Sequence, residues 1–150
     1  MRFLALDVGE RRIGVATGEW LASPVMTLVR GSVSEDVQAV AHLIHEHQAR
    51  CLVVGLPLNM DGSLGFQAQR VTRYAEHIRA ALAAMGLEID LVFWDERLTT
   101  GEAEQVLARA GRRRDRGHKQ VDAVAAAVIL QSYLDAQARE HASGSEGIGM

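Results

Sequence analysis

The chain has 150 residues, enough for one domain with little room for a second. Hydrophobic residues make up 48% and aromatics only 5%, so a sizeable core can form, and the abundant alanine favours helices packed closely on a sheet over an all-β sandwich. A net charge of −3 argues against a generally basic nucleic-acid binder, and the single cysteine, Cys51, excludes an intramolecular disulfide and suggests a cytosolic setting.

Residues 2–8, Arg-Phe-Leu-Ala-Leu-Asp-Val, read as a buried strand ending at an acid. That opening does not read as a signal peptide, and no apolar run approaches the roughly 20 residues of a membrane span. A turn with Gly9 and Glu10 leads to a second strand over 12–17, close enough to form a hairpin with the first. A third strand is expected near 25–30, after Pro24. Ser34 is a plausible N-cap for a helix over about 35–48, with Val37, Val40, Ala41 and Ile44 on one face. Cys51 opens a continuous apolar run over 51–56, typical of a central parallel strand covered on both faces. There Cys51 reads as a small hydrophobe. The 57–65 loop is rich in turn formers. A helix over about 66–85 follows, with Val71, Ala75, Ile78 and Leu82 at helical spacing, stopped by Gly86. Ile89 to Trp94 form the next strand. Thr99 and Glu102 make a capping box for a helix over about 100–110. A basic loop and an alanine-rich helix over about 119–137 complete the pattern. A single domain over 1–138 is then expected, with 139–150 a Gly- and Ser-containing flexible tail. Three strands followed by βα units imply an α/β fold: a mixed five-stranded sheet, antiparallel meander plus parallel strands, with helices on both faces.

Three groups of carboxylates sit where apolar elements end. Asp7 closes the first strand. Asp95 and Glu96 close Leu91-Val92-Phe93-Trp94. Asp122 lies in the first turns of the last helix, among Val121 and a run of alanines. An ionised carboxylate beside buried apolar neighbours is costly unless paired or metal-bound. Carboxylate oxygens suit magnesium and manganese, and two such ions can activate water and stabilise the leaving oxygen of a phosphodiester. Taken alone, Asp122 reads first as an acid favoured by the helix dipole; the other acids and the adjacent basic loop reverse that preference. Asp95 and Glu96 point to opposite sides of a strand, so only one would face inward. Chemistry leaves that choice nearly even, with Asp95 free to hold Arg97 or cap a backbone amide.

Residues 112–119 carry five basic side chains, Arg112, Arg113, Arg114, Arg116 and Lys119, against Asp115, a local charge of +4 on a body that then carries −7. A charge run is usually a solvated face, but one placed just before Asp122 suits an anionic partner, with phosphate contacts that supply affinity and no sequence reading. Lys119 could also neutralise charge near a cut. Arg12 starts the second strand and is placed to touch substrate or to form an ordinary surface ion pair. Gly9 and Gly14 flank the first turn, where glycine is usually turn geometry; Gly9 could also let a phosphate approach beside Asp7. The 57–65 loop, with Asn59 and Asp61, precedes a helix whose amides could hold phosphate, but it lacks a P-loop ending. His42, His45 and His47 read as surface, not zinc ligands.

Ala5-Leu-Asp-Val-Gly-Glu-Arg-Arg-Ile-Gly-Val-Ala resembles the opening motif of the YqgF/RuvX family. Val54-Gly-Leu-Pro-Leu-Asn-Met-Asp-Gly-Ser, Asp95-Glu-Arg-Leu-Thr-Thr and the stretch Lys119 to Tyr133 resemble its later motifs, in order, over roughly 1–135. The resemblance implies an RNase H-like fold. The family is named provisionally both as a nuclease processing the 5′ end of the 16S rRNA precursor and as a Holliday junction resolvase. Asp7, Glu96 and Asp122 match its metal-binding acids, which favours Glu96 over Asp95 and implies Mg²⁺ or Mn²⁺, as two ions. Gly18-Glu19 and Arg11 depart from the Ser-Asp and Lys of many members, away from the three acids. The expected partner is structured RNA or branched DNA, with no membrane. A junction enzyme would further need a symmetric homodimer. Two other classes compete. A sugar kinase shares the superfold but needs two such domains, and a catalytically silent nucleic-acid adaptor predicts a missing acid.

Overall fold

The computed structural model describes residues 1–98, 105 and 118–148, with the side chains of these except at 118–120 and 143–148. Five strands form the sheet: β1 Phe3–Val8, β2 Arg12–Gly18, β3 Ala22–Val29, β4 Cys51–Leu56 and β5 Asp90–Asp95. Their order is β3-β2-β1-β4-β5. β2 pairs antiparallel with both β1 and β3, while β1–β4 and β4–β5 are parallel. The mixed sheet expected from the order of elements is therefore the one formed.

Alternation along β1 sorts its residues between two cores. Leu4, Leu6 and Val8 join Ile13, Val15, Leu52 and Val54 under helices α1 (Val33–His47) and α2 (Phe66–Ala84). Ala5, Ala16, Cys51 and Val53 face helix α3 (His118–Ile148), together with Ala126, Ala127, Ile129 and Leu130. Both faces of β4 are covered, as its unbroken apolar run requires. The predicted inner face of α2 holds, with Val71, Ala75, Ile78 and Leu82 all buried.

Several boundaries moved for local reasons. β3 begins before Pro24, at Ala22. It is an edge strand, so a proline is tolerated, and a register shift opposite Val15 and Ala16 absorbs the irregularity. The N-cap of α1 is Ser32, two residues before the one expected: its hydroxyl accepts from the Glu35 amide at 3.1 Å while the Glu35 carboxylate accepts from the Ser32 amide at 2.9 Å. Helix α3 continues to Ile148, past the end expected near 137. Alanine, glutamine, arginine and glutamate over 136–140 are good helix formers, so the backbone need not stop there. The helix expected over 100–110 falls outside the described residues, Gln105 apart.

Two buried polar residues tie α3 to the sheet. Gln131 accepts from the Ala22 amide at 2.8 Å and donates to Asp135 at 3.0 Å. Ser132 accepts from the Trp94 indole at 3.0 Å and donates to the Leu98 carbonyl. Buried hydrogen bonds of this kind set the height of a helix along a sheet, because leaving either partner unsatisfied costs more than the bond itself contributes.

Candidate active site

The three acids singled out in the sequence come to one end of the sheet. Asp7 is the penultimate residue of β1, and alternation turns it to the α3 side, next in line after Phe3 and Ala5. Glu96 opens a short 3-10 turn, Glu96–Leu98, at the end of β5. Asp122 lies in the second turn of α3. Asp7 and Glu96 share a hydrogen bond, and Asp122 lies close enough to act on Asp7 by charge.

The electrostatics follow from that crowding. Burial, and then the Asp122 charge, push the Asp7 carboxyl above its ordinary value, with the Glu96 hydrogen bond working the other way. Burial, the Asp7 charge, the hydrogen bond to Asp7 and the Asp95 charge push Glu96 up to about 7. The closeness of the two carboxyls thus disfavours ionising both at once.

Asp122 is held differently. Arg12 Nε stands 3.1 Å from its Oδ2, an ion-pair distance, yet Oδ2 is buried and has no partner at hydrogen-bond angles. Both observations stand together: the guanidinium supplies charge without a well-directed bond. The ion-pair reading of Arg12 thus holds, and its partner is one of the three acids. Among the described residues no three such side chains stand around one point in ligand geometry. The acids are gathered, with Glu96 turned to Asp7 and Asp122 to Arg12.

Asp95 takes the alternative role. Its carboxylate accepts from the Arg97 amide at 2.9 Å and from the guanidinium Nη2 at 2.7 Å, which holds it below its ordinary range. Arg97 in turn donates to the Met60 carbonyl at 2.9 Å, fastening the 57–65 loop beside Glu96. That link was not visible in the sequence. Within the loop Asn59, Asp61 and Ser63 bond one another, as turn residues do.

Two glycines matter more than the sequence suggested. A Cβ on Gly14 would run into the backbone carbonyl of Asp122, so this glycine admits α3 against β2 and is not only a turn residue. A Cβ on Gly55 would stand 2.8 Å from Glu96 Oε1 and 2.6 Å from Ile129 Cδ1. The signal was a glycine inside each of two apolar strands, a mark of close approach. Arg112, Arg113, Arg114 and Arg116 lie outside the described residues, as does the Lys119 side chain. His42 and His45 are exposed, and His42 lies 3.4 Å from Glu46.

A five-stranded mixed sheet of this order, with helices on both faces, is the RNase H-like fold. Its folding neighbours include a Thermus thermophilus RuvC structure, with a TM-score of 0.57 at 15% identity over 91% of this chain and 97% of that one. The fowlpox virus resolvase, solved with Holliday junction DNA, gives 0.53 at 9% identity over 91% and 99%. Residues 1–136 match the model of the RuvX family, described as Holliday junction resolvase, and the chain belongs to that family. Relatives provisionally named pre-16S rRNA nuclease include those of Syntrophus aciditrophicus, 43% identical over 93% of this chain and 92% of the relative, and Moorella thermoacetica, 44% identical over 90% and 95%.

Proposed function

We propose that this chain is a metal-dependent endonuclease that hydrolyses phosphodiester bonds of structured nucleic acid, and that it processes the 5′ end of the 16S rRNA precursor. The observation that carries the reading is the convergence of Asp7, Glu96 and Asp122 from three separate elements on one end of the sheet. Burial and mutual repulsion raise the Asp7 and Glu96 carboxyls, and Asp122 Oδ2 is buried beside Arg12 without a directed hydrogen bond; a divalent cation would offset all of these. Asp7, Glu96 and Asp122 would hold Mg²⁺ or Mn²⁺, as two ions, and their all-oxygen donor set suits those metals. Such ions lower the pKa of water and neutralise charge at the phosphate. The chain's own part is positional. Arg12 balances Asp122, Arg97 fixes the loop beside Glu96, and Gly14 and Gly55 leave room for the acids to meet.

The rRNA substrate is supported by the names of relatives about 40% identical over nearly their whole length. A second reading, Holliday junction resolvase, is favoured by the description of the family itself. It needs a homodimer with two active sites. An adaptor without catalysis is the weakest reading, since all three acids are present. Ribosomal processing would place the protein in the cytoplasm, and among the described residues no helix is long and apolar enough to cross a membrane.

The test sets a precursor-rRNA 5′ leader beside a four-way DNA junction, with magnesium or manganese, against the Asp7→Asn variant. Metal-dependent cutting of the leader alone is the expected result. Paired symmetric nicks in the junction would transfer the function to recombination, and no cutting of either would sink the nuclease.

A further inference from the structure

A pocket of about 350 Å³ opens at the same end of the sheet as the acids but on the other side of the β1–β2 turn. Val8, Gly9 and Glu10 form one wall, directly after Asp7, and Gln67, Arg70, Val71 and Tyr74 of α2 form another, with Arg30 beside them. Asp7 faces α3, whereas Val8 faces α1 and α2. A strand laid over the turn would therefore meet the acids on one side and this pocket on the other. In open α/β sheets, ligands collect outside the carboxyl ends of the strands, where both features lie.

We propose that this pocket is a phosphate subsite, holding a backbone phosphate of the bound nucleic-acid strand between Arg30 and Arg70. The inference rests on the nuclease reading above and adds a place where the strand is gripped beyond the scissile bond.

Arg30 is prepared for the task. Its guanidinium stacks on the Tyr74 ring at 4.1 Å and donates to the Gly9 carbonyl at 2.7 Å. Buried Asp36 steadies both partners: it accepts from the Tyr74 hydroxyl at 2.6 Å and lies 3.9 Å from Arg30 Nε. A guanidinium has five donors, more than Gly9 and Asp36 take up, and one already ordered loses little entropy on binding an anion. Arg70 is the movable half. At rest it lies 3.6 Å from Glu10, with side chains 68% and 85% exposed. An exposed pair of that kind is weak, so a phosphate can draw Arg70 away from Glu10.

The experiment measures binding by fluorescence anisotropy of a labelled rRNA leader and a labelled junction, across a potassium chloride series. Asp7→Asn serves as the parent so that nothing is cut. Arg70→Gln in that background should lower the log–log salt slope by about 0.7 on single strands or 0.9 on duplex, the share of one neutralised phosphate. Glu10→Gln should act oppositely, tightening binding severalfold and steepening the slope, which a purely structural role for the pair would not do. Binding by the parent with an unaltered slope in both variants overturns the subsite alone. Failure of the parent to bind either nucleic acid overturns the nuclease reading and the subsite with it.

Discussion

Asp7 sits where burial and a neighbouring carboxylate both oppose its charge, so its conservative replacement separates function from stability. Asp7→Asn removes a charge the fold would rather be without. Its thermal midpoint in chelator should match or exceed that of the parent, while cleavage falls by more than the roughly 10–100-fold typical of losing a mere outer-shell partner of a metal. A destabilised variant with cleavage intact would refute the assignment. Glu96 carries the pH dependence. Its folded value of about 7 lies above the ordinary 4.5. Between those values the folded state holds a proton that the unfolded state has released. Stability in chelator should therefore be full below about 4.5, decline as pH rises to about 7, and level off above it. Glu96→Gln should flatten that decline in denaturant titrations. Cys51 lies outside this chemistry: burial, with the Asp90 charge, pushes its thiol up to about 11, which keeps it an inert hydrophobe at neutral pH.

At the scale of elements, the site depends on how closely α3 approaches the sheet. Ala123, Ala126 and Ala127 are essentially fully buried, and small side chains there let the helix backbone reach β2 at Gly14. Gly14→Ala places a methyl against a backbone carbonyl that cannot swing away. It should cost about 1–3 kcal/mol or more, read by denaturant unfolding, and take cleavage with it. Gly55→Ala meets only side-chain atoms, Ile129 Cδ1 and Glu96 Oε1, which can move. Its stability loss should be the smaller of the two, with cleavage still impaired because Glu96 is displaced. Unimpaired cleavage by Gly55→Ala would show that Gly55 does not shape the site. The alanine run in the sequence announced close packing. The partner strand was not announced, because a glycine flanking a turn and a glycine under a helix look alike in one dimension.

For the whole molecule, charge distribution governs the approach of nucleic acid. The chain carries −3 overall, with +4 concentrated in residues 112–119. Replacing Arg112, Arg113 and Arg114 with alanine should weaken binding uniformly across sequences and flatten its salt slope, by roughly 0.9 for each duplex phosphate no longer neutralised. An unchanged slope would show that the segment does not touch phosphate. The acids and the proposed Arg30–Arg70 pocket lie at one end of the sheet on opposite sides of one turn, so a bound strand would cross the β1–β2 hairpin.

By itself the sequence determined most of the described elements and the mixed sheet, and it singled out candidate acids at Asp7, at Asp95 or Glu96, and at Asp122, because these rest on local patterns: alternation along strands, helical spacing, and carboxylates where apolar runs stop. It left Asp95 and Glu96 open until the family motif was considered, and it misplaced the N-cap of α1 and the start of β3. Only the tertiary structure decided that Asp95 is held by Arg97 while Glu96 lies against Asp7. Only it showed that Asp122 pairs with Arg12 and that Arg30, Tyr74 and Asp36 form one assembly. The physical reason is range: propensity and capping act between near neighbours in the chain, whereas charge and desolvation act through space, between groups that the sequence holds far apart.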